Sequence, residues 1–260
     1  MQQDIVIFAP HQDDEILGGY AVIRQQPEHI YVVFLTNGDY EGADVARTRW
    51  QESCAALTHL GVPRDHILTL GYADTGMPRP VSFLWRLWHG EPGLLLASSV
   101  GAHTYHPADG EQEYHLKKWG AHAAYTREAV LADVRAVLEE IRPGAIYMTN
   151  EDDVHGDHAA APLFVQAALA QIPDLQPAVY RYHVHDRDEE RWPNRQGDRF
   201  DKPENLSAQQ WEGRTCIPVQ DPDDFRRTME LFVSQWRDAE YLLSFIKKEQ
   251  VLFPKREGPV

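Results

Sequence analysis

Short apolar runs alternate with amphipathic stretches from the start of the chain. Ile5, Val6, Ile7 and Phe8 stand in an unbroken row before Pro10, the pattern of a strand buried on both faces of a parallel sheet. Asp13, Asp14 and Glu15 then put acidic groups where the positive end of a helix dipole favours them, which predicts a helix to about Gln25. Tyr31 to Leu35 repeats the strand signal, and Thr36-Asn37-Gly38-Asp39 follows as a loop. Asp44 to Leu60 is predicted helical, with Ala55, Ala56 and Leu60 on one face and Gly61 as the stop. Ile67 to Leu70 is a third strand. This order predicts an α/β fold of the Rossmann-like, doubly wound kind. Its sheet is mostly parallel with helices on both faces, and ligands are expected at the C-terminal ends of the strands.

The period is lost from Met77 to Tyr125, where Trp85, Trp88 and Trp119 lie among prolines and glycines, so an irregular insertion or lid is expected there. Order returns with Val130, Val134, Val137, Leu138 and Ile141, one face of a helix that ends before Pro143. Ala145 to Thr149 is a further buried strand, Asp157 to Ile172 a helix, and Val179 to Val184 a last strand before a polar loop from Asp186 to about Gln210. Phe225, Met229, Phe232, Trp236, Leu243 and Ile246 predict one long closing helix. Without repeats or linkers, residues 1–260 are expected to form a single domain.

Charge narrows the partners. The 25 Lys and Arg against 40 Asp and Glu leave a formal charge of −15, which repels a phosphate backbone and argues against nucleic acid. No apolar run approaches the ~18 residues of a membrane span. Met1 to Asp4 leads straight into a strand without an export signal, and the cysteines are Cys54 and Cys216, so a reduced cytoplasmic protein is expected. Homo-oligomerisation is left open.

Two clusters carry chemistry: His11-Gln12-Asp13-Asp14-Glu15 after the first strand, and His155-Gly156-Asp157-His158 after the strand Ala145 to Thr149. Both project onto the same sheet edge, and each pattern is expected less than about a tenth of a time by chance. Imidazole with carboxylate suits zinc, and three ligands with an open position is the catalytic arrangement. His11 and Asp14 can bend onto one ion, with His158 as the third ligand. Asp13 is then spare to take a proton from water. His155, if protonated, would stabilise an oxyanion and protonate a leaving amine, with Asp157 holding its charge and orientation. Read alone, Asp13 to Glu15 is equally a favourable first helical turn, and His155 with Asp157 an N-terminal cap. His183 and His185 can reach the same edge, and His103, His106 and His115 lie in the irregular segment.

With these residues in place the chain resembles the PIG-L/LmbE-like family of zinc-dependent N-acetylglucosaminyl deacetylases. The resemblance runs from Ala9-Pro10-His11-Gln12-Asp13-Asp14-Glu15 through Leu35-Thr36-Asn37-Gly38, Arg49 and Glu52. It continues in Leu70-Gly71-Tyr72-Ala73-Asp74-Thr75-Gly76-Met77, in His155 to His158, and in Ser234-Gln235. It implies metal on His11, Asp14 and His158, a base at Asp13, an electrophilic histidine at His155, and substrate contacts at Arg49 and Asp74. Gln12 and Gly156 stand where the family usually has proline, so looser loops are expected there.

The expected activity is a Zn2+-dependent hydrolase, with another divalent metal such as Fe2+ as a substitute. It would remove an N-acyl group, foremost acetyl, from a small-molecule amino sugar or glycoconjugate. One alternative is a nucleotide-binding oxidoreductase on a Rossmann-like sheet, disfavoured because the first turn lacks Gly-x-Gly-x-x-Gly and carries carboxylates. Another is a non-catalytic zinc-binding protein, which would have no need of the spare Asp13.

Overall fold

Five parallel strands carry the site. In chain order the elements begin β1 (Ile5–Ala9), α1 (Asp14–Gln25), β2 (Ile30–Thr36), α2 (Ala43–Leu60) and β3 (Ile67–Tyr72). They continue α3 (Phe83–His89), α4 (Tyr114–Trp119), α5 (Arg127–Ile141), β4 (Ala145–Thr149), α6 (Gly156–Leu169) and β5 (Ala178–Tyr182). The computed structural model describes residues 3–189 and 191–255, so Met1 lies outside the described residues. The sheet order is β3-β2-β1-β4-β5, with every pairing parallel, as expected of a doubly wound sheet. The order reverses between β1 and β4, and the two chemical clusters follow these two strands.

Alternation along β1 builds both cores. Ile5, Ile7 and Ala9 join Ile16, Tyr20 and Ile23 of α1 and Trp50, Leu57 and Leu60 of α2 on one face. Val6 and Phe8 join Phe83, Val130, Val134 and Phe164 of α3, α5 and α6 on the other. Burial on both faces explains why the strand sequences are unbroken apolar runs. On α2 the buried stripe is Ser53, Ala56, Leu57 and Leu60, at i, i+3, i+4 and i+7, which leaves the expected Ala55 exposed. Gly61 ends that helix at φ 94°.

The segment from Met77 to Tyr125 holds α3 and α4, and its Phe83, Leu84, Leu87, Leu96, Tyr114 and Tyr125 are buried in the second core. Its first residues, Met77, Pro78 and Val81, border the cavity described below.

The long closing helix is not formed. The chain runs α7 (Ala208–Glu212), β6 (Thr215–Pro218), α8 (Pro222–Met229), a 3-10 turn (Val233–Asp238), α9 (Ala239–Leu243) and β7 (Glu249–Leu252). The break has a hydrogen-bonding cause. The Ser234 N–H and hydroxyl both donate to the Glu52 carboxylate, at 2.7 and 2.6 Å, so that amide has left the helical ladder. Trp236, expected to face the core, is 40% exposed. The antiparallel pair β6 and β7 escapes a pattern search because it is four residues long and includes Pro218.

α1 lies close against β5 because Gly18 has no side chain. A Cβ there would sit 2.1 Å from the buried Tyr182 ring. Gly18→Ala gains up to about 1 kcal/mol of helix propensity but must displace that ring, at a cost of about 1–3 kcal/mol. The expected outcome is net destabilisation in urea unfolding. Equal or higher stability would refute the close packing.

Candidate functional site

β1 ends at Ala9 and the chain turns sharply into α1. Asp13 adopts φ 113°, a conformation that costs a non-glycine residue on the order of 1–3 kcal/mol and persists only where surrounding bonds enforce it. They do so here. The Asp13 N–H donates to Glu15 Oε2 at 2.8 Å, and its carbonyl accepts from Ile16 and Leu17. The His11 N–H donates to Asp14 Oδ2 at 2.9 Å, which brings that carboxylate back over the turn.

The second cluster is held by a proline and a threonine. Pro162 lies inside α6 and has no N–H for the carbonyl four residues earlier, that of His158. Thr149 at the end of β4 donates its hydroxyl to that carbonyl at 2.8 Å and ties the helix to the strand end. His155 caps α6, its Nδ1 accepting the Asp157 N–H at 3.2 Å. This bond places the proton of a neutral His155 on Nε2.

The two clusters meet. His11 Nδ1 lies 3.1 Å from His158 Nε2 and 3.5 Å from Asp14 Oδ2, and His158 Nε2 lies 3.1 Å from Asp14 Oδ2. Tetrahedral ligands at zinc-like bond lengths sit ~3.3 Å from one another, so this triangle fits one small cation with a side left open. His155 brings a further ring nitrogen within 4.8 Å of those on His11 and His158. The far nitrogens of the two imidazoles are bonded to carboxylates: His11 Nε2 to Asp157 Oδ2 at 3.3 Å, and His158 Nδ1 to Asp153 Oδ2 at 3.2 Å. Such outer partners orient a ligating imidazole and raise its basicity.

The Asp157 carboxylate therefore supports His11, with its other oxygen accepting the Leu84 N–H at 2.7 Å, and it is the Asp157 amide that donates to the His155 ring. The sequence-based assignment of that carboxylate to the His155 ring is corrected on this point. A cap needs the Asp157 amide, which leaves the side chain free to face β1.

The electrostatics call for positive charge. Burial opposes protonation of His11, yet Asp74, Asp14 and Asp157 raise it to about 9. His158 is likewise lifted against burial by Asp14 and Asp153. Asp14 and Asp153 are held low, against burial, chiefly by His158. Burial pushes Asp13 up to about 7, although Arg49 pulls it down. Burial, with the His11, His158 and His185 imidazoles around it, holds His155 well below its ordinary value, which favours the neutral ring.

An inner chamber of about 220 Å³ is lined by His11, Asp13, Asp14, His155, His158 and His185. It adjoins an outer chamber of about 710 Å³. Arg49, Asp74, His155 and Gln235 border both. Arg49 donates to the Gln12 carbonyl at 2.7 Å and stands 3.5 Å from Asp13 Oδ2. Asp74 accepts the Gly76 N–H at 2.8 Å and has its other oxygen 3.8 Å from His11 Nε2. Glu52 anchors Ser234 and so sets Gln235 at the cavity wall.

Sequence reasoning missed several contributors. Asp153 accepts from the His155, Val184 and His185 amides at 2.9, 3.1 and 3.0 Å and so binds the second cluster to the segment that follows β5. Its signal was the acidic loop before His155. Asp39 accepts from the Asp74 amide at 2.6 Å and the Tyr105 hydroxyl at 3.0 Å. Of the later histidines, His185 lines the inner chamber, whereas His183 pairs with Asp186 at 3.0 Å. His106 packs on Trp50 and His115 bonds Asp133, and neither they nor His103 line these chambers. The two departures at proline positions are both tied down. Gln12 donates to the Thr36 carbonyl at 3.0 Å, and Gly156 donates to Met77 at 2.8 Å where a Cβ would strike Ser82 at 2.4 Å. A proline at 156 could not make that bond.

Residues 6–169 match the PIG-L family model, described as GlcNAc-PI de-N-acetylase. Comparison with curated protein sequences gives no match. Among solved structures the chain is similar to N,N'-diacetylchitobiose deacetylase from Pyrococcus horikoshii, with 15% identity, TM-score 0.57 and coverage of 96% of this chain and 82% of that one. It is also similar to the zinc-inhibited form of teicoplanin deacetylase Orf2, with 14% identity, TM-score 0.57 and coverage of 96% and 97%. GalB, the 4-carboxy-2-hydroxymuconate hydratase from Pseudomonas putida KT2440, shares the fold at 14% identity and TM-score 0.54, covering 100% of both chains. These identities establish shared architecture, and a hydratase among them shows that the architecture does not choose the reaction.

Asp153→Asn keeps the shape of the outer partner but removes its charge and one acceptor. It is expected to weaken zinc binding about 10–100-fold, read by competition against a chelating dye. Unchanged affinity would remove Asp153 from the support of His158.

Proposed function

This chain belongs to the PIG-L family, and we propose that it is a zinc-dependent deacetylase that hydrolyses the amide of an N-acylated amino sugar or related glycoconjugate. One observation carries the reading: the open-sided His11, Asp14 and His158 triangle has a further carboxylate, Asp13, outside the donor set and beside it in the same chamber. A structural metal site has no use for such a neighbour. The deacetylases among the structural neighbours support the same reading.

His11 Nδ1, Asp14 Oδ2 and His158 Nε2 would hold the ion, with Asp157 and Asp153 fixing the two rings. A divalent cation there supplies Lewis acidity, making a water nucleophilic near neutral pH and polarising the amide carbonyl. Asp13 is the base that would accept the proton of the attacking water and then return it to the amide nitrogen as the C–N bond breaks, so that the product leaves as the amine. Its burial lifts it towards the range where a carboxylate can do so near neutrality, and Arg49 keeps the charged form accessible. His155, neutral and protonated on Nε2, donates a hydrogen bond to the oxygen on which negative charge develops. A charged ring is not required for that role. Arg49 and Asp74, at the junction of the chambers, suit sugar hydroxyls, which accept from a guanidinium and donate to a carboxylate. Leu17, Val184 and Leu242 give the inner chamber an apolar side against which a short acyl group can rest.

Acetate release from N-acetylated amino sugars is expected to stop on chelation and return with zinc, and activity indifferent to chelator would overturn the reading. Asp13→Asn should retain zinc while turnover falls by about a hundredfold or more. Loss of zinc in that variant would reassign Asp13 as a ligand. The base works only when deprotonated, so kcat/KM should rise with pH through the Asp13 pKa. A neighbouring cation lowers that value, so the acid limb should lie at or below about 7. The limb should vanish from the residual activity of Asp13→Asn. A kcat/KM that fell as the pH rose towards neutrality would contradict this assignment.

A further inference from the structure

Most of the large apolar residues left exposed among the described residues lie at or beside the outer chamber. Tyr40, Met77 and Val81 are 63%, 43% and 46% exposed, and all three line it. Val233 and Trp236 are also exposed and flank Ser234 and Gln235, which line the same chamber. The two remaining exposed large hydrophobics among the described residues, Leu95 and Trp119, do not line it. Scattered apolar side chains on a surface need no explanation, but a set gathered around one concavity marks a surface that something covers.

We infer that this rim binds an alkyl or aryl group on the amine-bearing part of the substrate, so that the substrate class is an N-acetyl amino sugar with an apolar aglycone. The inference rests on the deacetylase reading above. Chamber sizes set the orientation. At about 220 Å³ and crowded with imidazoles and carboxylates, the inner chamber accommodates a two-carbon acyl group beside Leu17 and Val184, not a sugar with its substituent. The sugar then falls at the Arg49 and Asp74 junction. The outer chamber, about 710 Å³, has room beyond one pyranose ring for what the sugar carries.

The rim is also built before any ligand arrives. The Tyr40 ring lies so close to Gly76 that a Cβ there would come within 3.0 Å of it, and Gly76 sits at φ 105°. Val81 is fixed through its N–H to the Pro78 carbonyl and through its own carbonyl to the Thr75 hydroxyl. A preformed apolar surface binds with little ordering cost. Glu41 on the same wall, with the net charge of −15, disfavours an anionic substituent.

The test compares kcat/KM of the zinc-loaded enzyme on methyl, hexyl and phenyl glycosides of N-acetylglucosamine, with the N-octanoyl methyl glycoside as a separate arm. Hexyl and phenyl glycosides are expected to exceed methyl by about tenfold or more, and octanoyl to fall below acetyl. Tyr40→Ser and Val81→Ser, changes at exposed positions, should each shrink the phenyl-to-methyl ratio to about threefold or less. Values for the three glycosides within about twofold of each other would overturn the aglycone subsite while leaving deacetylation intact. A gain with octanoyl would overturn it by giving the rim to the acyl chain. No acetate from any glycoside, with zinc bound, would bring down the deacetylase reading and the subsite with it.

Discussion

Buried negative charge is the constraint around which this protein is organised. Asp13, Asp14, Asp74, Asp153 and Asp157 are all withdrawn from water around His11 and His158. Isolated carboxylates cannot be buried so densely in a medium of low dielectric without compensation. Within the protein the compensation is partial: Arg49 beside Asp13, and two imidazoles that hold their protons far more tightly than usual. A small divalent cation would resolve the imbalance, and the three nearest donor atoms are spaced to hold one. The same charge density is what the proposed ion binding and hydrolysis would draw on.

The scaffold meets this cost with bonds drawn from distant parts of the chain. Asp153 gathers three backbone amides, two of them from beyond β5, and one imidazole. Thr149 satisfies the carbonyl that Pro162 leaves bare, so His158 is held by β4 as well as by its own helix. Glu52 draws Ser234 out of a helical path and closes the cavity wall from the C-terminal region. The strained turn at Asp13 is enforced by Glu15 and Asp14 from within the same six residues. Local motif and tertiary clamp thus act on the same side chains.

The departures at Gln12 and Gly156 illustrate how rigidity can be kept without proline. Proline stiffens a loop by removing freedom from one φ angle. Here the Gln12 side chain bridges to β2, and the Gly156 amide secures the loop that begins the long irregular segment. That second bond is bought with the absence of a side chain at 156, because Ser82 occupies the space. The cavity wall from Met77 to Val81 is in this way joined directly to the backbone of the His155 cluster.

Much of the fold was legible in the chain alone. A strand buried on both faces must be apolar at every position, and a helix on a sheet must repeat near 3.6, so β1 to β4, α1, α2 and α5 left unmistakable patterns. The clustering of His11 to Asp14 and His155 to His158 after two strands followed from the rule that parallel strand ends share one edge. Tertiary structure alone decided the rest. Asp157 faces His11 rather than His155, because helix capping uses its amide and packing sets its carboxylate. Asp153 proved central because it meets atoms more than thirty residues away, which no local period encodes. The closing helix broke because one amide found a better acceptor on α2, and the exposed rim formed from residues widely separated along the chain. Periodicity reports the face a residue turns to its own core, whereas a site is made of long-range pairings that exist only once the chain has folded.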